Sequence, residues 1–563
     1  MEDRLSRLES EVQKLSRAVE RLEERLDTLE ATGMPERAAP PISAAAEGLP
    51  GPVPASDILS AITLFGRTLL VLGGGYFLRA MTDSGVLAPA TGIALGLLYA
   101  LFWMLMADRA GARRNQLNAA FHGAGAVLVA FPLLWETTVR FDFLAPSASA
   151  LCLTLISLAA AAVAWRHPLR GFAWVTLVGA AVTGFVLILG TRQLVPFSLF
   201  LVGMAIVTYW LAERAEWTIV HWVVAGLADI AVGLSGLGVL IEGISVTGDF
   251  ALAIQLSLLV VFLLSFAHRL FRRQLPPGRF ELAQTGLVIV LGYGGSLLVS
   301  APTSLLRILG FLGIAVAIVY YRASILSRTV SASGRLYLEG TAAGLMFLGS
   351  LGALLNPTGL LAIVGVGLTW LGARIERSTV SLQGALFILA AAFTSSIVKQ
   401  AGYAFLAPAS YAWPPLNGSW VLGLAAAAGA YALSASGAAD RWWERWRLSK
   451  LVLLGILVGA AGGAILAVIV PLVAGTPGLD ASAAHLATVR TAVLAVSSLI
   501  LAALARTDRF REAAWLVYPV LLAGGIKLIL EDFLRGRAAT LFVALALYGT
   551  AVFVAPRLAR DKR

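Results

Sequence analysis

The run LVLLGILVGAAGGAILAVIVPLVA, residues 451–474, carries no charged side chain over 24 positions. The hydrocarbon core of a bilayer is about 30 Å thick and takes about 20 residues of helix to cross. The run is long enough. In hydrocarbon, moreover, a helix is the one single-segment structure that satisfies all its own backbone groups. Working outward from it, apolar stretches of similar length recur near 58–80, 86–107, 116–135, 146–165, 171–190, 195–212, 218–241, 250–268, 282–300, 303–321, 336–354, 357–372, 379–398 and 418–435, and again near 482–505, 512–530 and 538–556. With 451–474 this makes eighteen expected spans and an all-α, polytopic transmembrane helix bundle over residues 58–563.

Composition agrees. The 563 residues are 58% hydrophobic and 13% charged, with mean hydropathy +0.83. Soluble domains carry about 25% charged residues. Too little polar surface is present to coat several water-facing domains, so a soluble multidomain enzyme is excluded. The single cysteine, Cys152, allows no disulfide within the chain and no cysteine metal site. The first residues, MEDRLSRLES, lack the apolar core of a signal peptide.

The net charge of +11 hides an uneven distribution. Residues 1–57 carry seven Lys/Arg and twelve Asp/Glu. If the spans alternate from a cytosolic N-terminus, the cytosolic loops and C-terminal tail hold 26 Lys/Arg and the outer loops six, namely Arg79, Arg140, Arg192, Lys399, Arg535 and Arg537. Lys and Arg accumulate on the cytosolic side of membrane proteins. The bias holds to the end of the chain, which places both termini in the cytosol and requires an even number of spans. The basic balance is therefore an orientation signal, and no nucleic-acid partner is expected.

Two segments precede the bundle. Residues 1–30 repeat apolar side chains at alternating spacings of four and three. Leu5, Val12, Val19 and Leu26 fall at position a of a heptad; Met1, Leu8, Leu15, Leu22 and Leu29 fall at position d. This narrow seam predicts a cytosolic coiled-coil helix that pairs two protomers, against the alternative of one helix lying on the protein's own cytosolic face. Residues 31–57, with six prolines among Ala, Gly and Ser, read as a linker.

Catalytic motifs are absent from the sequence. It contains no GxxxxGK[ST], no HExxH and no GxSxG, and its five histidines, His122, His167, His221, His268 and His485, are scattered. Neither metal nor cofactor is expected, and the reading leans away from an enzyme. What remains is charge at membrane depth, a functional hypothesis by default. Arg67, Asp229 and Arg490 lie mid-span, and Arg307 and Lys527 lie one to two turns below the outer face. Two readings stay open. Arg67, Arg307, Arg490 and Lys527 line an interior site for an anionic group, with Asp229 as counter-ion or proton carrier; or each pairs with a neighbouring helix and only fixes packing. Glu339 follows Arg335 by four residues, and Glu531 follows Lys527 by four, so local pairs are expected for both. The stretch Lys399–Asn417, rich in Tyr, Trp and Pro, reads as the longest outer connection and as a headgroup belt. Gly92/Gly96, Gly340/Gly344 and Gly455/Gly459/Gly463 have the spacing of close helix contacts. A shift of 230 residues aligns Val290, Gly294, Gly295, Leu298 and Arg307 with Val520, Gly524, Gly525, Leu528 and Arg537, a weak echo of one helix hairpin in another.

The layout resembles the bacterial membrane proteins grouped as domain of unknown function 2339. The likeness rests on the N-terminal heptads and the Pro-rich linker. It rests also on the first span, from Leu64-Phe65-Gly66-Arg67 through Gly73-Gly74-Gly75 to Tyr76 and Arg79. The last two spans add Lys527, Asp532, Arg537 and Gly549. Gly66, Thr68 and Glu531 depart from the pattern. The resemblance implies a bacterial cytoplasmic (inner) membrane and brings no activity or catalytic residue with it. The expectation drawn from residues and resemblance together is a transporter or flippase-like protein for an anionic small molecule, lipid or envelope intermediate. Its partners would be the lipid bilayer, a second copy through the coil, and that anionic substrate. The alternative is a non-catalytic scaffold that recruits partners through the coil and the basic loops.

Overall fold

Runs without charge have only their own backbone to bond in hydrocarbon, and here they become helices. The computed structural model describes residues 73–560 except 76, 83, 168, 216–218, 241–246, 301–302, 328, 355–356, 415–417, 436–442 and 508–509. The chain divides at Arg67/Thr68 into two units, and every described residue belongs to the second. The coil seam from Leu5 to Leu29, the linker and Arg67 lie outside the described residues.

After α1 (described at 73–75 and 77–82), the helices are α2 (Pro89–Ala112), α3 (Gln116–Arg140), α4 (Pro146–Arg166), α5 (Arg170–Thr191), α6 (Leu194–Ala215), α7 (Val220–Leu240), α8 (Gly248–Arg272) and α9 (Arg279–Val299). There follow α10 (Thr303–Leu326), α11 (Ala332–Ala353), α12 (Thr358–Arg374), α13 (Ser378–Thr394), α14 (Ile397–Leu406), α15 (Gly418–Ala435), α16 (Trp443–Val473), α17 (Ala483–Ala505), α18 (Ala513–Arg535) and α19 (Ala538–Arg560). No strand occurs among the described residues. Among the described residues, thirteen helices are long and apolar enough to cross a membrane, fourteen if the bent pair α13–α14 is one span. Large apolar side chains face outward along the bundle, among them Leu98, Leu151, Leu264, Leu298 and Ile363, each at least 60% exposed. Such a surface belongs in lipid rather than in water. The molecule is a multi-pass helical membrane protein.

Each apolar run from residue 86 onward has a helix at its place, but three details differ from the sequence reading. The run 379–398 is not straight. It stops at Thr394, turns by 65° through Ser395 and Ser396, and resumes as α14. Ser396 has φ +70°, the left-handed region, which no helix interior tolerates. The first half of the expected outer connection is therefore helix. Second, α12 and α13 have 17 residues each, about 25 Å at 1.5 Å per residue. Third, α16 runs unbroken for 31 residues from Trp443, so it begins well ahead of the expected start at 451.

Neighbours pack as antiparallel hairpins wherever glycine lets backbones touch. Along α12 and α13 the meeting positions are 372 with 381, 369 with 384 and 365 with 388, one number falling as the other rises. Along α10 and α11, a Cβ at Gly310 would lie 2.3 Å from the Ala353 nitrogen, and one at Gly349 would lie 2.8 Å from the Gly310 oxygen. Of the expected glycines, Gly92, Gly96 and Gly344 meet side chains of neighbouring helices, from Thr82, Leu133 and Ile289. Gly340, Gly455 and Gly459 have nothing within 4 Å of an added Cβ, while Gly463 does meet the Ala401 backbone.

Two large apolar cores result. One joins α2 to α13 and the other joins α13 to α19. Helix α13 serves both: Val380, Phe387 and Ala391 face the first, and Ala385, Ile388 and Ala392 the second. A third, smaller core gathers Ala404, Leu466, Val470, Leu486, Val489 and Val493 beneath α14.

Among the described residues, three helices contain a π turn, α3 at Glu136–Arg140, α9 at Val288–Gly294 and α18 at Leu528–Asp532. The echo at a shift of 230 would carry the turn of α9 to 518–524, so the two turns are not at matching positions although both precede a returning helix. Such turns inside α-helices mark functional positions disproportionately.

Candidate functional site

The short helix α14 ends with Ala404 buried and Leu406 exposed, and of its last carbonyl groups Tyr403 accepts from the Ala407 nitrogen while the others lack the usual helix donor. The side chain that meets them comes from α17. Arg490 is 1% exposed. Its Nε donates to the Ala404 oxygen at 2.6 Å, and Nη2 donates to the oxygens of Ala407 at 2.6 Å and Tyr403 at 3.2 Å. Nη1 donates to Glu531 Oε1 at 2.7 Å. The guanidinium also lies 5.8 Å from the centre of the Trp413 ring. A planar fork of five N–H groups suits this task where an ammonium would not. A cation here also complements the negative end of the helix dipole.

Lys527 completes the cluster. Its Nζ donates to Asp532 Oδ2 at 2.7 Å and Thr491 Oγ1 at 2.8 Å, and also to the Ala487 oxygen; Glu531 Oε2 lies at 3.5 Å. Thr491 in turn donates to Asp532 Oδ2 at 2.8 Å. Two cations and two carboxylates thus close into one neutral network. The π turn Leu528–Asp532 explains the geometry. Its i to i+5 spacing turns Asp532 onto Lys527 and leaves Glu531 for Arg490. The expected Lys527–Glu531 pair is present at 3.5 Å, yet the closer partner is Asp532.

Of the five residues proposed from sequence, this cluster unites Arg490 and Lys527. Asp229 lies on α7, which packs against α5, α6, α8 and α9, and its Oδ1 accepts from Gln284 Nε2 at 2.9 Å. Arg307 is exposed on α10, and Arg67 is outside the described residues. A cavity of about 20 Å³, roomy enough for about one water, adjoins α14 between Gln400, Trp413, Pro414, Trp420 and Gly463.

Among the buried acids, sequence missed Glu136 and Glu281 and gave Glu339 a different partner. Glu136, placed by sequence just past the end of a span, is 8% exposed inside the π turn of α3 and pairs with Arg79 at 2.7 Å. This pair lies on the wall of an otherwise apolar cavity of about 310 Å³ between α1, α2 and α3. Glu281, 5% exposed, accepts from Tyr209 at 3.0 Å and meets Arg269 at 3.3 Å. Glu339 pairs with Arg377 at 2.7 Å instead of Arg335. Ser324 and Thr379 also donate to it, and Arg335 donates to the Val330 oxygen. The chain bends back between α12 and α13 and brings Arg377 over Glu339, which sequence distance conceals. Among the described residues, no group of three or more His, Cys, Asp and Glu could hold a metal ion. No protein family, no curated protein and no solved structure matches the chain.

Proposed function

We propose that the chain is a transporter or flippase-like protein for an anionic small molecule, lipid or envelope intermediate, and that α14 is its moving element. One observation carries the reading: a broken helix whose interior carbonyl end is held by a buried arginine from another helix. Interior helix breaks are tolerated where they are buried in protein or line a cavity, and transporters build their sites from such half-helices. In this reading the neutral network is the closed form. Withdrawal of α14 frees Arg490 and Lys527 to attract an anion. We further propose eighteen spans with both termini in the cytosol of a bacterial inner membrane. The charge bias of the loops and the resemblance noted above support this.

Spin labels test the motion. In a chain with Cys152→Ala, labels at Leu406→Cys on α14 and Leu472→Cys on α16 occupy positions that are each 80% exposed. In liposomes containing phosphatidylglycerol, two or more label separations are expected, with populations that respond to a pH gradient. A single narrow separation under every condition sinks the transporter reading.

That result would favour the second reading, a membrane scaffold. Its support is the complete pairing of Arg490 and Lys527, which suffices to explain them as packing elements. In both readings the heptads of 1–30 join two protomers. Mass photometry of the full chain and of a chain lacking residues 2–30 is expected to show a halving of particle mass. Equal masses would refute the pairing.

A further inference from the structure

Asp229 is 4% exposed in the middle of α7. Gln284 satisfies its Oδ1, but Oδ2 meets no donor, and no cation lies within ion-pair distance of it among the described residues. It is the one carboxylate oxygen that is fully buried without a partner among those residues. The other buried acids mark the contrast: Glu136, Glu281, Glu339 and Asp532 each face an arginine or lysine, and Glu512 accepts from the Tyr431 hydroxyl. An ionised carboxylate in such a place is tolerated only if something positive joins it.

The surroundings narrow what that is. The titratable groups on the elements packed here are Tyr209 from α6, Arg269 from α8 and Glu281 from α9, while Tyr293 of α9 turns its hydroxyl to the Leu309 oxygen of α10; α5 contributes none inside the bundle, and α7 itself carries His221 two turns away. Arg269 and Tyr209 are engaged with Glu281. A hard metal cation takes about six oxygen ligands, and what the described contacts supply here is one carboxylate and one amide. A proton needs one oxygen.

The site also has a way in. Glu281 caps the start of α9, where its Oε2 accepts from the Gly278 nitrogen at 2.8 Å. Gln284 stands one turn further along the same face, about 5 Å up the axis, and holds Asp229. Thr285, beside it, bonds Tyr337 of α11 at 3.0 Å. Beyond them lies the π turn Val288–Gly294, then Gln255 of α8, 1% exposed, whose Oε1 is likewise without a partner. A line of buried polar groups therefore runs from the Arg-rich connection between α8 and α9 into the bundle.

We propose that Asp229 is a proton-binding site, occupied as the neutral acid in this arrangement and exchanging its proton with the end of the bundle that carries Glu281. The step is simple protonation: Oδ2 takes a proton from hydronium, a water molecule is left, and the carboxylate charge is lost. The site is separate from the Arg490 network, so it stands or falls independently of the transport reading.

Infrared spectroscopy of the purified full chain in sodium-free buffer at neutral pH tests it. The C=O stretch of one protonated carboxyl is expected in the wild type, shifted in D₂O within minutes and missing from Asp229→Asn. Should that variant fail to accumulate, Asp229→Glu is expected to move the band instead of abolishing it. Glu281→Gln is expected to keep the band and slow its deuterium shift several-fold. The proposal is overturned if the wild type lacks the band, or if the band never shifts in D₂O, because the proton is then absent or merely trapped. It is also overturned if sodium chloride removes the band at constant pH, because the occupant is then a cation.

Discussion

Arg490→Ala is expected to lower the stability of the purified chain by about 3–5 kcal/mol, the usual cost of stripping one partner from a buried charge pair. Glu531 loses its 2.7 Å partner in a site where it has little water. The oxygens of Ala404 and Ala407 lose the donor that ends α14. These two losses can be separated. Glu531→Gln alone keeps the cap and is expected to cost less. The double variant Arg490→Met with Glu531→Leu removes the charge problem but leaves the carbonyls bare, so it recovers only part of the loss. Arg490→Lys keeps a charge yet cannot serve three carbonyls and a carboxylate together. Detergent-solubilised protein unfolded with increasing SDS supplies the comparison. An Arg490→Ala chain within 1 kcal/mol of wild type would show that the guanidinium is not what holds α14.

The second large effect is steric. Gly310→Leu is expected to cost about 3 kcal/mol or more, at or beyond the upper end for overpacking. The atom an added Cβ meets is the Ala353 backbone nitrogen at 2.3 Å, with the Gly352 carbonyl carbon at 2.7 Å. Backbone cannot rotate away as a side chain can, so the α10–α11 hairpin must spread. Gly340→Leu is the control. Its Cβ has nothing within 4 Å, and leucine is the better helix former. A stability within about 0.5 kcal/mol of wild type is expected there. If the two variants unfold together, the close approach of α10 and α11 does not hold the bundle.

The same glycines show where sequence was legible and where it was not. Element type was readable because nearly every run is apolar over about the length that hydrocarbon demands, and helix is what such runs form. Contacts were not readable from spacing. Gly340 and Gly344 have the better motif, yet Gly310 and Gly349 make the closer approach, because contact depends on which face meets the neighbour. The buried ions divide in the same way. Arg490 and Lys527 were identifiable as deep charges that need partners. Their sharing of one network was not, since the pairing depends on a π turn at Leu528–Asp532 that breaks the 3.6-residue spacing assumed for a helix. Glu339 was matched to the nearest arginine in sequence, while the chain supplied Arg377 from the far side of a hairpin. The kink before α14 did leave a trace in Thr394-Ser395-Ser396, three hydroxyls together at the close of an apolar run. Asp229 was placed correctly in mid-helix, but only the structure reveals that one of its oxygens is unmet.

The 17-residue helices α12 and α13 bear on the lipid as well as on the protein. Ile363 on α12 and Val421 on the neighbouring α15 are 71% and 60% exposed, so this side of the bundle meets acyl chains directly. A wall about 25 Å tall beside a hydrocarbon layer about 30 Å thick leaves a mismatch of about 5 Å. The bilayer answers such a mismatch by thinning, at a fraction of a kcal/mol for each ångström. The perimeter of the molecule is thus uneven. With α12 and α15 as spans of the proposed bundle, that flank is expected to draw the two leaflets together, and shorter-chain lipids are expected to collect there.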